Sequence, residues 1–306
     1  MNRFNIFLLF FLALLTSSCK KVTNDQNNVV SEKKGNIDHY ENFRSKKDIL
    51  PRNVDVWIPE GFDENTRFQV LYMHDGQNLF NPETSYGGES WEIDVTLQKL
   101  INEQKIPPTM VVGIWNTSDR TIDYTPAIPF YYLGKTLIDS LKQMNRITGS
   151  AKSESYLSFI VEELKPFIDS IYPTISDKGH TFISGSSMGG LISLYAQVKY
   201  PNVFGGAACL STHWPLGLDK NRDDFAKAYG KYLSETISKS DNYKLYFDYG
   251  TETLDAWYEP HQLYINKILD QVHTGPRMCV KDEGAEHNEI YWRNRFENVA
   301  LFLLAQ

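Results

Sequence analysis

The residues best equipped for chemistry are Ser187, His287 and a carboxylate drawn from Asp255 or Glu252. Ser187 stands at the centre of Gly185-Ser186-Ser187-Met188-Gly189, a G-x-S-x-G pattern. A short apolar run from Thr181 precedes it, and a stretch of helical character, Leu191 to Val198, follows. A serine on a tight strand-to-helix turn needs small residues two before and two after it, because a Cβ at either place would block the approach of helix to strand. Gly185 and Gly189 supply both. Such a turn holds Oγ out of the sheet and leaves the backbone N–H of Met188, at the helix N-terminus, to face a developing oxyanion. The five-residue pattern alone is weak, since Gly/Ser turns are common; the strand before it and the helix after it are the context it requires.

A serine hydroxyl becomes a useful nucleophile when a base takes its proton and a third group orients the base. His287 lies in the polar loop Glu283-Gly284-Ala285-Glu286-His287-Asn288-Glu289, between the last apolar run and the last helical stretch, and is the expected base. His39, His180, His261 and His273 have no comparable setting, whereas His213 follows the strand after the serine and could line a pocket. The acid should come from the loop after Lys244 to Tyr249, which carries Glu252 and Asp255. Glu252 is nearer the strand end, but Leu254 and Trp257 flank Asp255 and could bury a short side chain. Asp255 is therefore the expected acid and Glu252 the alternative. A second oxyanion N–H is expected from Gln77, where the run Leu71 to Phe80 leaves a strand and turns at Gly76. His74 and Asp75 are expected to hydrogen-bond that loop.

The elements needed to position these groups are legible as apolar runs alternating with helical patterns. Strands are expected at Asn53 to Ile58, Gln69 to Met73, Thr109 to Trp115, before Ser187, at Phe204 to Leu210, at Lys244 to Tyr249 and at Arg277 to Val280. Helices are expected at Trp91 to Ile101, Ser155 to Ile171, Asp219 to Ile237, Glu259 to Val272 and Glu289 to Leu304. Pro166 should kink the second of these or mark a new start. The alternation predicts an α/β fold with a mostly parallel sheet and helices on both faces. Aromatic residues gather in the segment from Trp115 to Arg146 and after the late strands. Of these, Tyr124, Trp214 and Trp257 are candidates to stack on a substrate ring, with packing inside a loop as the alternative.

The first 19 of the 306 residues read as an export leader: Arg3 supplies a positive charge, Phe7 to Leu15 is too short to span a membrane, and Thr16-Ser17-Ser18 are small. Leu15-Thr16-Ser17-Ser18-Cys19 resembles a bacterial lipobox, with its leucine one place farther from the cysteine than is usual. That resemblance implies a lipid on Cys19 as the only membrane contact; a cleaved secretory signal and an uncleaved anchor are the alternatives. Residues 20–48 are polar and read as a tether, and 49–306 as one folded domain. A formal net charge of −7 without a long basic run argues against nucleic acid as a partner. Cys209 and Cys279 lie in apolar runs without metal-ligand spacing and read as buried, unpaired thiols; no metal site is expected. The glycines at 185, 189 and 190 do not form G-x-G-x-x-G, which excludes a dinucleotide site there.

Taken together, Leu71 to Phe80, Gly185 to Gly190, Gly250 to Asp255 and Glu286 to Trp292 resemble the Putative esterase family of α/β-hydrolases. That family includes carbohydrate esterase family 1 (feruloyl and acetylxylan esterases), S-formylglutathione hydrolase and the enterochelin esterases. The resemblance covers nearly all of the chain after the tether. It implies an α/β-hydrolase fold and a serine carboxylic-ester hydrolase, with no metal or organic cofactor, acting on a small-molecule or polysaccharide ester. In one place the chain departs from the family pattern: the position three residues after Gly250, often the acid, is Thr253. An acyltransferase working through the same intermediate and a non-catalytic binding protein on the same fold are the rival readings. An acyl group on a polysaccharide is the first substrate expected and a siderophore ester the second.

Overall fold

The apolar run at Gln69–His74 lies at the centre of an eight-stranded sheet in the computed structural model, which describes residues 35–143, 149–217 and 223–305. The strands are β1 (Asn36–Phe43), β2 (Arg52–Ile58), β3 (Gln69–His74), β4 (Thr109–Ile114), β5 (Thr181–Ser186), β6 (Gly206–Leu210), β7 (Lys244–Gly250) and β8 (Arg277–Asp282). Their spatial order is β1-β2-β4-β3-β5-β6-β7-β8. β2 pairs antiparallel with β1 and with β4, and every pair from β4 to β8 is parallel. The helices are α1 (Ile93–Asn102), α2 (Arg120–Asp123), α3 (Ala127–Tyr131), α4 (Lys135–Gln143), α5 (Ser153–Phe159), α6 (Lys165–Ile171), α7 (Met188–Lys199), α8 (Asp224–Thr236), α9 (Glu259–Val272) and α10 (Glu289–Leu304). This is the α/β-hydrolase fold expected from the sequence.

Successive side chains on a strand point to opposite faces, and the core divides accordingly. Val70 and Tyr72 of β3, Val112 of β4, Ile183 of β5 and Phe247 of β7 belong to one cluster, which takes in Leu191 and Leu194 of α7 and Tyr229 of α8. Leu71, Met73, Val111, Phe182 and Tyr246, one residue out of step, belong to a second cluster, closed by Leu97 of α1 and by Phe296, Val299 and Leu303 of α10. Burial on both faces is why the inner strands read as apolar runs rather than as alternating patterns.

Two elements depart from expectation, and a third carries the break expected at Pro166. β1 falls within residues 20–48, read as a tether. Tyr40 and Phe43 pack on the core and meet the Phe167 ring edge-on at 5.3 and 5.1 Å, while the register shifts between them and Asn42 takes φ 50°. That bulge breaks the period of two that would have marked a strand. The helix expected across Pro166 passes through a π-turn, Ile160–Leu164, between α5 and α6, and the proline falls in the first turn of α6, the new start that was one of the two outcomes expected of it and a place where its missing N–H costs little. The stretch after Trp115 is not an irregular loop but carries α2, α3 and α4. Arg52 of β2 anchors it through a buried ion pair to Asp123 at 2.9 Å. The leader Met1 to Cys19, the tether as far as residue 34 and the start of the helix expected from Asp219 lie outside the described residues.

Cys209 and Cys279 are both free, and the register explains why. Each pairs with Phe247, on opposite sides of β7. Two strand spacings separate them, about 9–10 Å, beyond the roughly 7 Å Cα limit for a disulfide. Cys209 is buried as expected. Cys279 is exposed, contrary to expectation, because β8 is the edge strand and only one neighbour covers it.

Candidate active site

At the end of β5 the backbone reverses at Ser187, whose φ 58° and ψ −121° lie in a region that L-residues rarely adopt. Hydrogen bonds fix it on both sides: its N–H donates to Leu210 O at 2.9 Å, and its carbonyl accepts from the N–H groups of Gly190 and His213, each at 3.1 Å. A Cβ on Gly185 would stand 3.0 Å from the backbone of Gly189, so no side chain is tolerated there without a shift. At Gly189 a Cβ would meet only ordinary contacts, the nearest at 3.5 Å, whereas at Gly190 it would fall 2.7 Å from Thr212 Oγ1. The second tight position is therefore 190, not 189. Met188 opens α7, where a backbone N–H has no partner within the helix.

Gln77 lies in a short 3₁₀ turn, Gly76–Asn78, at the end of β3. Gly76 runs against the backbone of Gly113 on β4; a Cβ there would be 2.4 Å from Gly113 C. The Gln77 carbonyl accepts from Thr84 Oγ1 at 2.7 Å and Ser85 Oγ at 3.3 Å, and its side-chain Oε1 from Asn116 N at 3.2 Å. These bonds fix the peptide plane next to its N–H. Asp75 holds the same loop, as expected: it takes Arg120 bidentately, both contacts at 2.7 Å, and Asn116 Nδ2 at 2.7 Å. His74 is buried with Nδ1 2.7 Å from Tyr156 OH, and burial pushes its pKa down to about 3, so it is neutral and structural.

His287 and Asp255 come together from adjacent loops. Gly250 ends β7 so close to Ala285 that a Cβ would stand 2.1 Å from its carbonyl, and Thr251 and Glu252 both donate backbone N–H bonds of 3.0 Å to that same oxygen. A 3₁₀ turn, Asp255–Trp257, then folds the chain back, so that Asp255 Oδ2 accepts from Gly250 N–H at 2.6 Å. Asp255 Oδ1 lies 2.6 Å from His287 Nδ1. Burial acts to raise the pKa of Asp255, but hydrogen bonds from His287, Ser211 and Gly250 outweigh it and lower the pKa, so the carboxylate is ionised at neutral pH. A carboxylate can only accept, which makes Nδ1 the donor and leaves Nε2 with a free lone pair. The imidazole meets Tyr258 and Trp292 edge-on at 5.6 and 5.0 Å. Glu252 is exposed, and its contact with Asp255 is through backbone: its carbonyl accepts the Asp255 N–H at 3.1 Å. Thr253, at the position where the family often has its acid, instead accepts the His287 backbone N–H through Oγ1 at 2.9 Å.

Ser187, His287, Gln77, Arg120 and Glu289 line a single cavity of about 440 Å³, with Tyr86, 81% exposed, at its mouth. Burial raises the pKa of Glu289. The three aromatic candidates for substrate contact are not among the lining residues. Trp214 is fully buried, with Nε1 donating to Gln262 Oε1 at 3.0 Å. Tyr124 is fully buried beneath Arg120, its hydroxyl accepting from Asp75 N–H at 3.2 Å. Trp257 packs on the core. His213 does not line the cavity either; its Nδ1 lies 2.8 Å from Tyr258 OH, and burial lowers its pKa to about 3.

Sequence reading missed Ser211. Its Oγ donates to Asp255 Oδ2 at 2.6 Å and accepts from Trp292 Nε1 at 2.9 Å and Arg295 Nη2 at 2.6 Å. Arg295 also pairs with buried Asp248 at 2.9 Å. Nothing in Leu210-Ser211-Thr212 distinguishes this serine from others in turns, and only the convergence of β6, β7 and α10 reveals it.

Fold and site together define an α/β-hydrolase, a carboxylic-ester hydrolase by class. The chain belongs to the Putative esterase family, whose model matches residues 50–299. Among relatives, "Uncharacterized protein YbbA" of Bacillus subtilis is 23% identical over 267 residues, covering 82% of this chain and 92% of that protein. Among solved structures, a ferulic acid esterase superposes with a TM-score of 0.63 at 15% identity, over 88% of this chain and 98% of the other. The enterobactin esterase FES from Shigella flexneri superposes with a TM-score of 0.61 at 16% identity, over 88% of this chain and 59% of the other. At such identities the two structures are similar in fold.

Proposed function

We propose that the protein hydrolyses carboxylic esters through an acyl-enzyme on Ser187, removing acyl groups such as feruloyl or acetyl from polysaccharide. Ser187 Oγ attacks the ester carbonyl carbon while its proton passes to His287 Nε2. Asp255 holds the Nδ1–H tautomer and stabilises the imidazolium. The N–H groups of Met188 and Gln77 receive the oxyanion. The carbon–oxygen bond to the alcohol then breaks, and His287 returns the proton to the leaving oxygen. Water repeats the sequence on the acyl-enzyme, releasing the acid and free Ser187. The observation that carries this reading is the 2.6 Å contact between His287 and ionised Asp255 beside a cavity that Ser187 lines.

The name of the ferulic acid esterase that shares the fold supports the polysaccharide reading, and that of the enterobactin esterase supports a siderophore ester as the second. Feruloylated, acetylated and catecholate esters, offered to wild type and to Ser187→Ala, separate the two readings. Release of acid from the first two classes by wild type alone is the expected result. Turnover of catecholate esters alone would move the substrate to the second reading, and turnover undiminished in Ser187→Ala would remove the mechanism. We further propose that the enzyme is an exported lipoprotein held at the membrane through Cys19, on the strength of the leader composition. Mass spectrometry of the mature N-terminal peptide should find an acylated cysteine; an unmodified N-terminus elsewhere would reject the anchor.

A further inference from the structure

Two carboxylic acids, Asp75 and Glu289, line the cavity that holds Ser187. Asp75 is fully engaged, since Arg120 and Asn116 between them take both of its oxygens. Glu289 is not, and the mechanism above makes no use of it. The residue is only 9% exposed, at the first position of α10. Asn78 Nδ2 donates to its Oε1 at 3.3 Å, and its own backbone N–H also acts on the carboxyl. Among the described residues no other side chain hydrogen-bonds it and no cation pairs with it. That leaves Oε2, in a residue that lines the cavity, as an acceptor without a side-chain partner. A carboxylate in the first turn of a helix is favourable wherever it sits, but an exposed one would serve α10 as well without the cost of burial.

The neighbours of Glu289 fix where a group bound to it would lie. Asn78 belongs to the 3₁₀ turn that carries Gln77, and His287 stands two residues before Glu289. Glu289 therefore links the oxyanion turn to the segment that carries the base, and a group bound to Oε2 lies beside the ester under attack. The charges around the cavity narrow what that group can be. Arg120 lines the same wall; its Nε and Nη2 are committed to Asp75, and Nη1 makes no hydrogen bond to the described residues. It acts on Glu289 electrostatically without reaching it as an ion pair. An ammonium group would suit Glu289 but meet the guanidinium, and a carboxylate would suit Arg120 but meet Glu289. A hydroxyl can donate to the one and accept from the other.

We propose that Glu289 is a specificity-determining residue that accepts a hydrogen bond from a substrate hydroxyl next to the scissile ester. This rests on Ser187 being the nucleophile and selects hydroxyl-bearing esters over plain ones, whichever half of the ester carries the hydroxyl.

Two pairs of esters isolate the donor. 2-Hydroxyethyl and 2-methoxyethyl acetate differ in the alcohol half, and methyl hydroxyacetate and methyl methoxyacetate in the acyl half; in each pair the ether keeps the oxygen but can only accept. At about pH 8 the carboxyl is ionised despite the upward push of burial. Wild type should then favour the hydroxyl member of one pair by about tenfold or more in kcat/KM, and that pair names the half concerned. Glu289→Gln keeps the bond from Asn78 only with its carbonyl at the Oε1 position, which turns an NH₂ into the cavity where Oε2 stood. A donor replaces an acceptor, and the hydroxyl-to-methoxy ratio should fall about tenfold. A wild-type ratio near one in both pairs overturns the assignment. So does an equal loss on both members of a pair in Glu289→Gln, which would make Glu289 a brace for the oxyanion turn. Binding to Ser187→Ala, followed by NMR titration, needs no turnover: the hydroxyl ester of one pair should bind more tightly than its ether, and adding Glu289→Gln should erase the difference. No difference in Ser187→Ala rejects the contact. Wild type failing to hydrolyse either ester while the binding difference persists would discard the Ser187 mechanism and keep the contact.

Discussion

Ser187→Ala and His287→Ala are each expected to lower kcat on an activated ester by about 10⁴-fold or more, and the double variant to be little worse than either. The groups form one device: without Oγ there is nothing for Nε2 to deprotonate, and without the imidazole the hydroxyl keeps its proton at neutral pH. Residual turnover should then reflect what the Met188 and Gln77 N–H groups do for a substrate attacked by water. Neither change should unfold the protein. An alanine at 187 inherits the same φ and ψ and the same hydrogen bonds to Leu210, Gly190 and His213, because these are made by backbone. Removing the imidazole deprives Asp255 of one partner but leaves Gly250 and Ser211 in place, so a loss of about 1–3 kcal/mol is the scale for an orphaned buried acceptor. Steady-state kinetics with a thermal melt on each variant make the check. Losses that multiply in the double variant would mean that the two residues act independently.

The parts of the molecule that were legible in the sequence are those fixed by short-range rules. β3 and β5 are buried on both faces and therefore read as continuous apolar runs, and the turn at Ser187 follows from chain geometry that admits few residue types. That Asp255 rather than Glu252 would be buried was legible because the nearby residues Leu254 and Trp257 are apolar, and both pack on the core as the loop folds back. What was not legible depends on where distant elements meet. Tyr124 is buried because Arg52 of β2 ties α2 down through Asp123, a contact 71 residues apart with no local pattern to announce it. Trp214 is buried because Gln262 on α9 comes to meet its N–H. Arg120, at the start of α2, and Ser211, in the turn after β6, are single polar residues, and their places in the site become visible only when β3, β6 and α10 are assembled around them. The same limit hid β1, where a bulge at Asn42 displaced one of its two anchoring rings from the expected period.

Asp255→Asn should reduce kcat by about 10² or more, while Glu252→Gln should remain within about twofold of wild type; the corresponding change in a serine protease costs about 10⁴. The direction follows from hydrogen-bond polarity. Ser211 Oγ receives protons from both Trp292 Nε1 and Arg295 Nη2, so its own proton is committed to Asp255 Oδ2, where Gly250 N–H also donates. The Oδ2 position must therefore be an acceptor. An asparagine can satisfy it only by placing its carbonyl there, which turns the NH₂ toward His287 Nδ1. That nitrogen must then accept, the ring proton moves to Nε2, and the base no longer has a lone pair for the Ser187 proton. Flipping the amide restores the His287 tautomer but sets the NH₂ against two donors in a buried place, at a cost of about 1–3 kcal/mol. Glu252 enters none of this: its side chain is exposed and its backbone N–H bond to Ala285 survives the substitution. Comparing kcat for the two variants on one ester decides the matter. A crippled Glu252→Gln beside a near-normal Asp255→Asn would show that the hydrogen bond from His287 to Asp255 is structural and that the acid lies elsewhere.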